Sequence, residues 1–459
     1  MNFFANSTAI LALLITLLCL ILLIQRIILN SNTDKILPIV NNNETNYITV
    51  NKFKSDSKLI KRLNYLNFPF SNFRLYENLD ILTKILPFFF VNRMTIFILN
   101  FTFYISENSG KLSILEHLKA IWSKWDTANY LSIAQHGYQN TGDERFLIVF
   151  YPLYPLLINI FNRLINDYFL SGLVVSNIFL IVALFYVYRL ILMELKNDEI
   201  AFNTIKYILI FPFSFFFSIV YTESLFMCLC IMTFYFLREK NWLLSGFLGL
   251  LAALTRTQGI LLLIPIITEI IYECKNLNNL NKKSQPSINK KYFVTYLQMM
   301  ISLLLVPFGT FGYLLLNKFV SGEWLTFLTY QKEHWIQNFG FFAENLKNGF
   351  INIFALGKIM AINVWIPQTF LFFLSFSILI HTFRNMRISY ALFSFAYILI
   401  SFSPTWLLSG SRYITGMFTL YIMLAIFVSK YKHLEKYLDF ITTMLLCFYC
   451  IQFSLSRVF

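Results

Sequence analysis

Phe169-Leu-Ser-Gly-Leu-Val-Val-Ser-Asn-Ile-Phe-Leu-Ile-Val-Ala-Leu-Phe-Tyr-Val-Tyr-Arg-Leu190 carries a single charged side chain along its whole length. A helix needs about 20 mostly apolar residues to cross the hydrocarbon of a bilayer, since each residue advances it by about 1.5 Å. Ala9 to Leu29 and Ile81 to Phe103 read the same way, and apolar runs near this length recur along almost the whole sequence. Of the 459 residues, 57% are hydrophobic and only 13% charged, with 52 Phe and 26 Tyr, a balance far from that of soluble domains. The chain reads as an all-α polytopic membrane protein with no globular domain between its spans.

The charges set its orientation. Lys and Arg exceed Asp and Glu by 37 to 23, a net charge of +14. The basic residues gather in short loops between spans, where they orient helices and meet anionic lipid headgroups, so membrane lipids rather than nucleic acid are the partners they imply. Ala9 to Leu29 has neither the basic start nor the small-residue cleavage site of a signal peptide and reads as a retained anchor. Residues 1 to 8 carry no charge, whereas 30 to 80 hold Lys35, Lys52, Lys54, Lys58, Lys61, Arg62 and Arg74 and are expected in the cytoplasm. Alternation then puts the turns at Lys196, Arg238-Glu-Lys240, Lys275 to Lys291, Arg384 to Arg387 and Lys430 to Lys436 inside. The loop after Phe103, Tyr221-Thr-Glu-Ser224, Arg256-Thr-Gln-Gly259, residues 318 to 345 and Ser401 to Arg412 fall on the outer or lumenal side. This requires Pro152 to Leu164 to be interfacial or re-entrant, and it predicts about twelve crossings. Residues 1–80 then form an anchor and cytoplasmic basic segment, and 81–459 a transmembrane domain.

Several motif classes are missing. The sequence has no P-loop, no dinucleotide-binding glycine fingerprint after a strand, no paired-His zinc motif and no nucleophile elbow. His117, His334, His381 and His433 are scattered, and Cys447-x-x-Cys450 sits inside an apolar run, where two small packed hydrophobes explain it. No metal site and no cofactor is expected.

The unusual charges lie on the outer side. Trp122-Ser-Lys-Trp-Asp-Thr-Ala-Asn-Tyr130 places Asp126 beside interfacial aromatics, between flanks (Ile114 to Ile121 and Ala128 to Ile133) that read as short amphipathic surface helices. Asp126 is either a solvated carboxylate or a general base, since partial desolvation favours proton uptake by a carboxylate. His136-Gly-Tyr138 and Tyr151-Pro-Leu-Tyr-Pro155 follow where the chain re-enters the bilayer; Pro152 and Pro155 suit a first helical turn, and His136 is a candidate phosphate contact. Glu223 sits close to bilayer depth, where an acid is either functional or a helix-start charge suited to the dipole. Arg256 and Arg412 interrupt apolar runs, and two guanidiniums beside a carboxylate would suit a lipid phosphate if they do not merely snorkel to headgroups.

Together, Trp125-Asp-Thr-Ala-Asn-Tyr-Leu-Ser-Ile-Ala-Gln-His-Gly-Tyr138, Phe150-Tyr-Pro-Leu-Tyr-Pro155, Phe211-Pro-Phe-Ser-Phe-Phe-Phe-Ser-Ile-Val-Tyr-Thr-Glu-Ser224 and Leu254-Thr-Arg-Thr-Gln-Gly-Ile260 resemble the PIG-V type mannosyltransferases of the GT-C class. The likeness spans about residues 92 to 270, with Ser321-Gly-Glu-Trp324 and Ser411-Arg-Tyr413 beyond it. Tyr151 to Pro155 is closer to the bacterial and archaeal branch than to the GPI-assembly enzymes. The resemblance implies a GT-C-like bundle that transfers a hexose, typically mannose, with inversion. The donor would be a polyprenyl or dolichyl phosphate sugar, and the acceptor a lipid-linked glycan or glycolipid such as a GPI precursor. It makes Asp126 the candidate base, with Trp125, His136, Tyr138, Glu223, Arg256 and Arg412 shaping the substrate site. The host membrane would be the plasma membrane in a prokaryote or the endoplasmic reticulum in a eukaryote. A transporter or lipid flippase is the competing reading, but it favours two related halves, and no such repeat is visible.

Overall fold

In hydrocarbon each backbone N–H and C=O must be paired within its own segment, so long apolar runs become helices. The computed structural model describes residues 2–29, 75–107, 113–281 and 289–459, and among these the chain is helical with no strand. Most of the basic stretch expected between 30 and 80, as well as Lys282 and Lys283, lies outside the described residues. The helices are α1 (Asn2–Leu29), α2 (Leu75–Glu107), α3 (Ile114–Trp122), α4 (Asp126–His136), α5 (Leu153–Ile165) and α6 (Tyr168–Leu195). They continue with α7 (Asp198–Ile210), α8 (Glu223–Arg238), α9 (Trp242–Ala253), α10 (Leu263–Asn281), α11 (Asn289–Ser321) and α12 (Thr326–Trp335). The last are α13 (Phe342–Ala355), α14 (Gly357–Thr382), α15 (Ile388–Ser401), α16 (Gly410–Thr415), α17 (Phe418–Lys430) and α18 (Glu435–Ser454). Six segments, in α1, α2, α6, α11, α14 and α18, are long and apolar enough to cross a membrane. The expected twelve crossings would add the shorter or more polar α7, α8, α9, α10, α15 and α17.

Burial separates two kinds of helix. α1, α2 and α11 turn Leu14, Phe90 and Leu304 outward, more than half exposed, which suits a surface solvated by lipid. By contrast, α8 is enclosed almost from Glu223 to Leu237 and forms the centre of the bundle. α9 reaches α11 through glycines: a Cβ on Gly246 would lie 2.6 Å from Ser302 Cα, and one on Gly309 2.4 Å from the Leu250 carbonyl oxygen. Lipid tails are as apolar as side chains, so such backbone contact, not hydrophobicity, drives helices together inside a bilayer.

Polar contacts sort the turns into two ends. At one, Glu194 binds Arg238 (3.0 Å) and Arg387 (2.7 Å), Arg238 also meets Glu269 (2.5 Å), and Lys240 meets Glu273 (2.7 Å). Lys432–Glu199 (3.0 Å) and the Arg26 contacts with the Phe383 and Met386 carbonyls belong to the same end. Each contact joins turns that the charge alternation puts on one side. α5 keeps that parity: Leu153 N donates to Leu254 O (3.1 Å), Asn159 to Ala134 O (2.8 Å), and Asp167 just past its end pairs with Lys119 of α3 (2.7 Å). Both ends of α5 therefore belong to the opposite group of turns. It bends by 109° from the 3-10 turn Asp143–Val149 that precedes it, so it runs as an interfacial or re-entrant element.

Candidate active site

Four charged groups from four segments meet at the end of the bundle opposite the Glu194 contacts. The first arrives through a sharp corner. α3 opens with a capping box in which Ser113 and Glu116 bond each other's backbone N–H. After it, Trp125 adopts φ 50° and ψ −117°, a conformation that costs a bulky L-residue about 1–3 kcal/mol and must be held by its surroundings. Thr127 N donates to Lys124 O (3.2 Å), Thr127 Oγ1 to Trp122 O (3.2 Å), and Tyr221 Oη to Lys124 O (3.1 Å). The corner sets Asp126 at the start of α4, where the helix dipole favours an anion, and turns the Trp125 ring onto Phe459, centroids 4.2 Å apart.

A break in the bundle supplies the second. α7 stops at Phe211-Pro212, since proline has no N–H and disfavours helix in the residue before it. The freed carbonyls are met from neighbours: Asn177 Nδ2 donates to Ser218 O (3.1 Å), Ser224 Oγ to Phe217 O (2.6 Å), and Arg93 reaches Ser214 O (3.4 Å) and Ser218 Oγ. The chain restarts as α8 with Glu223 in its first turn. Arg256 follows the end of α9, where Gly259 packs so tightly that a Cβ would lie 2.4 Å from the Ala252 carbonyl. Arg412 stands on the short α16.

Glu223 Oε1 holds both cations: Arg256 Nη1 at 2.5 Å as a hydrogen bond, and Arg412 Nε at 3.2 Å as an ion contact without hydrogen-bond alignment. Arg412 Nη1 also donates to Asp126 Oδ2 at 2.6 Å, across 286 positions of sequence. The side chains of Glu223, Arg256 and Arg412 are 0%, 8% and 9% exposed, and that of Asp126 19%. Asp126 is therefore the member that solvent or substrate reaches first. Aromatic rings box the cations: Arg412 lies 5.0 Å from the centre of Tyr221 and 5.4 Å from Tyr413, and Arg256 5.2 Å from Tyr413. Burial alone would favour a neutral Arg412, but Asp126 and Glu223 outweigh it and hold its pKa well above the usual guanidinium value. Burial, reinforced by both carboxylates, likewise pushes the Tyr130 phenol above the usual tyrosine range, so it stays neutral.

Among the described contacts, none joins His136 or Tyr138 to this cluster. His136 is exposed at the far end of the 11-residue α4, about 15 Å from Asp126 by helical rise, and its carbonyl accepts from Gln139 Nε2 (3.0 Å). Tyr138 donates to Phe150 O (2.7 Å) and supports the turn toward α5. Tyr221, Thr222 and Tyr413 were not anticipated, although each is adjacent or close in sequence to Glu223 or Arg412; Thr222 Oγ1 accepts from Arg256 at 3.3 Å. No group of three His, Cys, Asp or Glu side chains among the described residues is arranged to hold a metal.

A family model described as Mannosyltransferase (PIG-V) matches residues 79–326, more than half of the chain. No curated protein and no solved structure matches it. The matched region contains Asp126, Glu223 and Arg256, while Arg412 lies beyond it and is brought in by the fold. The chain thus belongs to the PIG-V mannosyltransferase family, multi-pass membrane glycosyltransferases that act on a sugar donor and a lipid-linked acceptor.

Proposed function

We propose that this protein transfers mannose from a polyprenyl-phosphate mannose, such as dolichyl-phosphate mannose, to a hydroxyl of a glycolipid acceptor at the outer or lumenal face, with inversion at the anomeric carbon. A GPI precursor is one such acceptor. The acceptor oxygen bonds to the anomeric carbon as the bond from that carbon to the phosphate oxygen breaks, and the electron pair leaves with the phosphate. Asp126 takes the proton of the attacking hydroxyl. Arg412 and Arg256 receive the departing anion, a task guanidinium performs bidentately, and Glu223 keeps the two cations side by side until substrate arrives.

The observation that carries this reading is the 2.6 Å pair between Arg412 and Asp126. A lipid phosphate binding at Arg412 competes with the Asp126 carboxylate for the same guanidinium, so donor binding frees the base for the acceptor. A positioned general base contributes about 10² to 10⁴ in rate. Purified protein incubated with radiolabelled polyprenyl-phosphate mannose and a membrane glycolipid extract is expected to form labelled glycolipid, and Asp126→Asn to lose that activity by about this factor while remaining folded. Near-wild-type product from Asp126→Asn would sink the assignment of the base. Failure of the wild type with every polyprenyl donor would favour a transporter.

A further inference from the structure

A second feature of the outer face carries no charge at all. α13, the start of α14 and the segment 405–407 border an open cavity of about 280 Å³, lined among others by Asn348, Gly349, Asn352, Trp365 and Trp406. Its volume falls near the lower end of the about 300–1,000 Å³ typical of small-ligand sites. The wall is built, not incidental. Asn345 Nδ2 donates to the carbonyls of Phe402 (3.1 Å), Ser403 (2.8 Å) and Pro404 (3.2 Å), and Thr405 N donates to Asn338 O (2.8 Å). Trp406 is held at φ 49°, a left-handed backbone unusual for so large a residue; the residue is 42% exposed, and its ring lies 5.8 Å from that of Trp365.

Asn345, Asn348 and Asn352 recur at helical spacing and share one face of α13. Asn345 is consumed by the wall, whereas the amides of Asn348 and Asn352 bond no described protein group. An amphipathic surface helix would explain that much. It does not explain the paired indole rings, nor the polar atoms behind Gly349: Trp365 Nε1 and Gln368 Oε1 are enclosed without a hydrogen-bond partner. A buried polar atom left unpaired costs about 1–3 kcal/mol. Donors, acceptors and two indole rings around an uncharged space match a ligand with many hydroxyls and apolar C–H faces, and they do not match an anion.

We infer that this cavity is a carbohydrate subsite, receiving a neutral sugar of the substrate beside the charged cluster. Phosphate is left to Arg256 and Arg412, sugar hydroxyls to the amides of Asn348 and Asn352, and sugar C–H faces to the indole rings. Only the source of that sugar, donor or acceptor, rests on the mannosyl-transfer reading; the binding itself does not. α13 and Trp406 lie beyond the region matched by the family model, so the subsite is a feature of this chain's own C-terminal part.

Asn348→Ala/Asn352→Ala removes both free amides, breaks no protein hydrogen bond and favours helix, so the variant is expected to fold, checked by its melting midpoint in nanodiscs. Saturation-transfer NMR with methyl α-mannoside should show binding to the wild type and its loss in the variant. In the transfer assay, the amount of glycolipid extract giving half-maximal rate should rise about tenfold for two lost hydrogen bonds, with the donor requirement unchanged if the sugar is the acceptor's. The reverse split would assign the same subsite to the donor sugar. Equal binding of methyl α-mannoside by wild type and variant, or no binding by either, overturns the inference while leaving mannosyl transfer intact. Binding that the variant loses, in a protein that transfers nothing, would instead overturn the proposed reaction and keep the subsite.

Discussion

Glu223→Gln keeps the shape of the side chain and removes its charge, so it isolates what that carboxylate does. Its Oε1 lies 2.5 Å from Arg256 and 3.2 Å from Arg412, which puts the charge centres about 4 Å apart. At an effective dielectric of about 20 each attraction is about 4 kcal/mol, partly offset by lost hydration and by repulsion between the two cations. The four side chains sum to zero charge; the variant leaves one buried guanidinium uncompensated, a change that costs about 3–5 kcal/mol. Thermal unfolding in lipid nanodiscs, followed by tryptophan fluorescence, should show a clearly lower midpoint. Glu223→Gln/Arg256→Gln restores neutrality and should recover much of the loss, because residues in direct contact do not behave additively. Polyprenyl phosphate should raise the midpoint of Glu223→Gln more than that of the wild type, since a ligand stabilises by its affinity for the folded state and the variant has a spare cation. A double variant whose loss equals the sum of the two single losses, with equal responses to polyprenyl phosphate, would refute the charge balance described here.

Two further outcomes test the layout. Cysteine introduced at the exposed Asn140 or Thr257 should react with a membrane-impermeant maleimide from the outer side only, and at Lys196 from the cytoplasmic side only; labelling of Thr257 and Lys196 from one side would break the topology. His136→Ala should retain transfer within about twofold of wild type, because a helix length of about 15 Å separates it from Asp126; a loss as large as that of Asp126→Asn would mean that α4 rearranges on binding substrate.

Much of the architecture is legible in the residues one segment at a time. Phe169 to Leu190 specifies a crossing by its own composition, and Lys196, Arg238 and Arg387 mark turns by their charge. Those turns then contact one another in the fold. Within the site, Asp126, Glu223, Arg256 and Arg412 stood out because a charge among apolar residues is costly wherever it lies. His136 was a candidate phosphate contact by its titratable ring, a local property that gives no direction; α4 places it at the opposite end of the helix from Asp126. Charge alone overlooked Tyr221 and Tyr413, because an aromatic is unremarkable in a chain with 26 tyrosines and 52 phenylalanines until its ring is found against a guanidinium.

Hydropathy and charge alternation are local quantities, set by the thickness and polarity of the membrane, so the sequence by itself determined the all-helical polytopic class, the sorting of turns into two faces and the family. Which outer residues meet depends on packing between segments far apart in the chain. Only the tertiary structure joined Asp126 to Arg412 across 286 positions, made Glu223 the shared partner of two arginines and closed α13 against the segment before Arg412. The physical reason is that lipid rewards every apolar surface alike, so helix neighbours are chosen by close glycine contacts and by the few buried charges that must find one another.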